Sequence, residues 1–182
     1  MNSKYKGKLL ISTPDMSGDI FSRAVVLVID HNEDGAFGLV LNKKNELATK
    51  AIQKKMEIDI DVFIGGPVET NKSFFIIKGE IPITNSYLYF HEDYYLTEDI
   101  ENVVNSIIDG SLNKKSVKVF SGYSGWSKNQ LENEIEKKFW IVANVYQMDF
   151  TEKDPQLWKK IMQNMGGEYL IWANSPIDVS LN

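Results

Sequence analysis

The sequence predicts an α+β or mixed α/β domain built around one sheet system. Three observations lead there. RAVVLVIDH (23–31) is β-branched and almost continuously apolar, the pattern of a central strand buried on both faces. TEDIENVVNSIIDG (97–110) places Ile100, Val103, Val104, Ile107 and Ile108 on one helical stripe. The order of segments is β-rich at first and then alternates strand with helix.

Taken in order, KLLIS (8–12) reads as a short strand, ended by the turn-rich STPDMSGD. After the central strand, Asp34-Gly35 signals a hairpin, because glycine supplies the positive φ a tight turn needs, and FGLVLN (37–42) returns. ELATKAIQKKM (46–56) is helix-compatible. DVFIGGP (61–67) is a strand stopped by Gly65, Gly66 and Pro67, and SFFIIKG (73–79) and SYLYF (86–90) are further strands. The helix of 97–110 is expected to be capped by Thr97 and closed by Gly110. KSVKVFSG (115–122) reads as a strand, 127–138 as a helix and FWIVANV (139–145) as a strand. DPQLWKKIMQNMGG (154–167) reads as a helix with Asp154 as N-cap and Trp158, Ile161, Met162 and Met165 on its buried face.

The chain has 182 residues, 43% of them hydrophobic, which suits one domain with a substantial core. The net charge of −5 opposes a nucleic-acid footprint over the whole chain. The absence of cysteine excludes a disulfide framework, a thiolate nucleophile and any cysteine-based metal site. The longest apolar run, AVVLVI (24–29), is far short of the ~20 residues a membrane helix takes, and no secretory signal is recognised. A cytoplasmic location without membrane contact is the expectation.

Three segments and two histidines look like sites. DHNEDG (30–35) matches the opening of a calcium loop, but Leu41 stands where the bidentate glutamate belongs, so a polar hairpin turn is the better reading. His31 and His91 lack paired spacing, and no metal is expected. GGPVE (65–69) lacks the spacing of nucleotide-binding loops and reads as a tight strand exit. GYSGW (122–126) resembles a nucleophile elbow at Gly122 and Ser124, yet Trp126 replaces the last glycine. Ser127 and Gln130 read instead as a capping box at a strand-to-helix corner.

LLISTPDMSGDIFSRAVVLVIDHNEDGAFGLVLNK (9–43), FIGGPVETNKSFFIIK (63–78) and GYSGWSKNQLENEIEKKFW (122–140) together resemble the AlgH/YqgE family of bacterial proteins. The resemblance covers nearly the whole chain as a single domain, 1–182. It implies an α+β fold: a bifurcated, mostly antiparallel sheet with a small barrel-like portion, surrounded by helices. The family carries a label as transcriptional regulators, without an established molecular activity. This sequence departs from the family pattern at four places. The N-R-P is Asn42, Lys43, Lys44; the L-H is Ile77, Lys78; the G-Y-A-G-W has Ser124; and the G-Q-L is Asn129, Gln130, Leu131. Alanine in the family at position 124 argues against Ser124 as a nucleophile.

The functional expectation is a ligand- or partner-binding protein with an indirect regulatory role, without cofactor and without catalytic residues. Arg23, His31, Asn42, Gly65, Gly66, Gly122 and Trp126 cluster at expected strand exits, where sites are commonly grafted, and are expected to converge on one cleft. The partner is a protein or a small molecule. Direct DNA binding is the alternative, disfavoured because no helix-turn-helix or basic arm is recognisable. A hydrolase using His31 with Ser124 or an acidic residue is a weaker third.

Overall fold

Strand β2 (Val25–Asn32) is the centre of the molecule. Val25, Leu27 and Ile29 point into one apolar cluster and Val26 and Val28 into another, all without solvent exposure. The alternation of a strand thus feeds two cores, as the continuous apolar run requires. The computed structural model describes residues 3–16 and 19–176.

Antiparallel neighbours of β2 are β1 (Leu9–Ser12) and β3 (Gly35–Val40). The remaining strands are β4 (Val62–Ile64), β5 (Val68–Lys78), β6 (Leu88–His91), β7 (Tyr94–Thr97), β8 (Val117–Ser127) and β9 (Trp140–Ala143). Their order is β6-β7-β5-β8-β3-β2-β1-β9, with β4 beside β8 off this path. Among the described strands, only β4 and β8 pair in parallel. The first half of β8 pairs with β4 and β5, and Ser124–Ser127 pair with β3, so the sheet forks along this strand. The bifurcated, mostly antiparallel α+β architecture is present. The barrel-like portion is corrected: the two ends of the path, β6 and β9, do not meet, and the sheet is not closed into a barrel.

Helices seal three apolar clusters. α1 (Glu46–Met56) and α2 (Ile100–Ile108) cover Val62, Phe75, Ile77, Val117 and Val119. α3 (Gln130–Glu136) sets Leu131 against Leu10, Val26, Val28 and Trp126. α4 (Leu157–Met165) and α5 (Tyr169–Asn174) bring Trp158, Met162 and Ala173 onto Leu9, Val25, Leu27 and Phe120. Among the described residues, no helix is long and apolar enough to cross a membrane.

Several boundaries differ from the sequence expectation, each for a local reason. Thr97 belongs to β7, paired with Phe75, and its hydroxyl donates to Ser86 O, so the cap of α2 passes to Asp99, which accepts from the Asn102 amide. Asp154 accepts from the Gln156 amide two residues on, and α4 begins only at Leu157. The glycine corner expected at 122–126 is not a corner. β8 runs through it, because Ser124–Ser127 find pairing partners on β3, a distant segment. Half of the capping box forms: the Ser127 amide donates to Gln130 Oε1 at 3.0 Å, while the Ser127 hydroxyl turns to the same oxygen instead of capping the helix. Strand β7 and helix α5 were not anticipated.

Candidate functional site

The β2–β3 hairpin closes through Glu33 and Asp34, with Asn32 opposite Gly35. Asn32 Oδ1 accepts from the Asp34 amide at 2.8 Å and shapes the turn. Gly35 has φ +146°, and a Cβ there would lie 2.0 Å from Trp126 O. Only glycine lets β3 approach β8 so closely.

Antiparallel partners project to the same side of a sheet. Asp30, Phe37 and Gly125 therefore share one row, and Asn32, Gly35 and Ser127 the next. α3 covers the opposite side of these strands, where Ala36 and Trp126 belong to the cluster beneath it. The first side carries a groove of about 460 Å³, bordered by Asp30, Asn32, Asp34, Phe37, Val68 and Tyr123 together with Gly35, Ala36, Gly125 and Trp126. Its aromatic wall is the Phe37–Tyr123 pair, with ring centroids 4.9 Å apart at 40°. Gly125 leaves the floor low; a Cβ there would meet the Tyr123 ring at 3.2 Å and nothing else but that ring within 4 Å. Among the described residues, Asp30 and Asp34 are the charged groups of the border and no basic side chain lines it. Lys6 Nζ stands 3.8 Å from Asp30 Oδ1 at its edge.

The three sequence motifs thus do meet here, through Asp30–Phe37, Val68 and Tyr123–Trp126. Of the seven candidate residues, however, Trp126 is the one that borders this groove, and its indole packs away from it against Trp140. Arg23 precedes β2, eight residues and about 26 Å of strand from His31. Its guanidinium lies 5.1 Å from the Trp158 ring centroid and donates to Ser175 O and Pro176 O. Asn42 is buried beside it, donating to Arg23 O and accepting from the Val25 amide, both at 2.9 Å. These bonds hold the left-handed turn at Arg23, φ +51°. Gly65, Gly66 and Gly122 form a backbone crossing: Cβ atoms would fall 2.2 Å from Gly122 O, 2.1 Å from Tyr123 C and 2.6 Å from Gly66 O. The glycines are spent on contact with one another.

His31 faces α3. It is 4% exposed, with Nε2 2.7 Å from Glu132 Oε1 and its ring edge-on to Tyr5. Burial pushes the Glu132 carboxyl up, but its own backbone amide and His31 outweigh that and hold it below the usual carboxylate range. Ser124 is fully buried and its hydroxyl donates to Gly65 O at 3.0 Å. His31 is on β2 and Ser124 on β8 with β3 between them, about 10 Å across the sheet. They do not form a nucleophile–base pair. Among the described residues, no three histidine, aspartate or glutamate side chains are grouped to hold a metal.

Two features escaped the sequence. Lys118 is 1% exposed within β8, where Nζ donates to Leu41 O at 2.7 Å and Glu152 O at 2.5 Å and lies 4.3 Å from the Phe63 ring centroid. Burial, aided by Lys153, lowers its pKa to about 7. Glu134 Oε2 accepts both indole N–H groups, from Trp126 at 2.9 Å and Trp140 at 2.7 Å, while Gln130 donates to Oε1. Both are anchors: each ties distant backbone or side chains together. Elsewhere a polar pocket of about 450 Å³ holds Lys78, His91, Tyr94 and Asp149, with Lys78 paired to Asp149 at 2.9 Å.

Comparison with known proteins agrees with this architecture. The AlgH-like family model matches residues 9–170. A UPF0301 protein of Cytophaga hutchinsonii is 37% identical over 179 residues, covering 97% of this chain and 98% of its own. One from Bacteroides thetaiotaomicron is 33% identical, covering 94% of this chain and 88% of its own. The solution structure of the AlgH protein from Pseudomonas aeruginosa superposes with a TM-score of 0.72 at 24% identity, covering 96% of each chain. A crystal structure from Corynebacterium diphtheriae gives 0.76 at 20% identity, covering 96% of this chain and 94% of that one, and both likenesses speak to fold alone. With the family model spanning most of its length and relatives above 30% identity along nearly all of it, the chain belongs to the AlgH-like family.

Proposed function

We propose that this protein is a non-catalytic binding module of the cytoplasm, and that it acts through a protein partner held at the groove beside the β2–β3 hairpin. The observation that carries this reading is the meeting of three segments, far apart in sequence, at one sheet face left open while its reverse is sealed by α3. Among the described residues at that face, none resembles an activated nucleophile or a general base poised over one. The polar residues nominated from sequence at the other strand ends are engaged with backbone groups. A regulatory role, the label the family carries, then passes through the partner rather than through DNA; a groove bordered by Asp30 and Asp34 without a basic lining repels a phosphate backbone.

The test is photo-crosslinking in cells with a benzoylphenylalanine in place of Phe37, and a second protein carrying it in place of Lys50 on α1. A discrete adduct from position 37 that is absent from position 50 supports the groove. Identical adducts from both positions, or none from 37, exclude it.

A further inference from the structure

We propose that the groove takes an arginine side chain presented by the partner, stacked on the Phe37–Tyr123 pair and ion-paired with Asp30 and Asp34. This rests on the groove being the binding surface and adds the chemistry of what occupies it. Four observations converge. The aromatic pair forms a tilted wall, 4.9 Å between centroids, that a planar cation can cover. Two carboxylates stand on the same border: Asp34 has no ion pair among the described residues, and Asp30 has only the part-exposed pair with Lys6 at 3.8 Å, which an arginine fork would displace. Gly35 on β3 and Gly125 on β8, in adjacent rows, leave the floor beside Phe37 without side chains. Asp30 Oδ2 is bridged to Asn32 Nδ2 at 3.2 Å, which orients the carboxylate on the sheet face.

Arginine fits better than lysine. A guanidinium is planar, stacks on aromatic faces and offers a fork of donors to a carboxylate, whereas an ammonium is a compact and strongly hydrated point charge. The site is open, so a free amine of small size would gain little from it; a protein segment adds contacts along the hairpin.

The experiment is an NMR titration of the full-length ¹⁵N-labelled chain with acetyl-Gly-Arg-Gly-Arg-Gly-amide. The same peptide with citrulline, a neutral isostere of arginine, and with lysine are run beside it. The expected result is shift changes centred on Gly35, Phe37, Tyr123 and Gly125, with the arginine peptide binding at least about fivefold more tightly than the citrulline peptide. The lysine peptide falls between. Asp30→Asn with Asp34→Asn brings the arginine peptide down to the citrulline level, and Tyr123→Leu weakens it as well. Glu101→Gln with Asp109→Asn on and beside α2 leaves it unchanged. Equal binding of arginine and citrulline peptides, or equal loss in the α2 variant, overturns the arginine assignment. If the crosslink at position 37 persists in that case, the groove stands and its occupant is of another kind; shift changes centred on another face overturn both.

Discussion

Replacing Lys118 with methionine separates what its burial costs from what its hydrogen bonds contribute. Methionine matches the length of the lysine stem and carries no charge. Lys118 is the one buried residue among the described lysines, arginines and carboxylates. Removal from water lowers its pKa from 10.5 to about 7. A shift of that size corresponds to about 5 kcal/mol between the two protonation states. For a base with a depressed folded-state pKa, the unfolded chain binds more protons between pH 7 and 10.5, so stability rises with pH across that window. Below pH 7 both states hold the proton and the burial cost is complete. Between pH 6 and pH 9 the wild type should therefore gain about 2–3 kcal/mol from this group alone. The amine, even neutral, has two N–H groups for Leu41 O and Glu152 O; methionine leaves both carbonyls unpaired at about 1–3 kcal/mol each. Urea unfolding followed by tryptophan fluorescence, at pH 6 and pH 9, reads the difference. Lys118→Met should be less stable than wild type by a few kcal/mol at pH 9, with the gap narrowed by about 2–3 kcal/mol at pH 6. An offset unchanged between the two pH values refutes the depressed pKa.

The glycine crossing and the indole clamp are testable by the same assay. Gly66→Ala puts a Cβ 2.1 Å from the Tyr123 backbone and should cost about 3 kcal/mol or more, whereas Gly79→Ala, with nothing within 4 Å, should lie within about 0.5 kcal/mol of wild type. Glu134→Ala orphans two buried indole N–H groups and should cost about 2–4 kcal/mol with a shift in tryptophan emission; an unchanged midpoint and spectrum would show that the clamp does not form.

The parts of the fold that were legible in sequence are those specified by local pattern. The uninterrupted, β-branched run Val25–Ile29 reads as a buried strand and is one, and Asp34-Gly35 marked the hairpin whose glycine does adopt a positive φ. The second half of β8 was not legible, since Gly122–Ser127 has neither alternation nor β-branched residues and becomes a strand only when β3 lies beside it. Lys118 stands between two valines with no local sign of burial; its burial depends on Leu41 and Glu152, remote in sequence. The candidate residues failed to converge for a related reason. Polarity at a strand exit was read as availability, yet Asn42 and Arg23 are occupied by backbone carbonyls and an amide. The groove itself was within reach: counting two by two from Asp30 to Asn32, and pairing Asp30 with Phe37 across the hairpin, places the carboxylate and the aromatic ring on one face.

The measurement that bears most directly on the groove as binding surface is quantitative capture of the crosslinked partner by wild type and by Gly125→Trp. Gly125 is exposed, its φ is not left-handed, and only the Tyr123 ring stands within 4 Å of a Cβ, so the indole should fill the groove with the fold retained. With thermal unfolding midpoints matched, the variant should lose at least about tenfold in partner recovered, as expected when the binding face is filled. Recovery equal to wild type by a folded Gly125→Trp protein would contradict the groove as the site of binding.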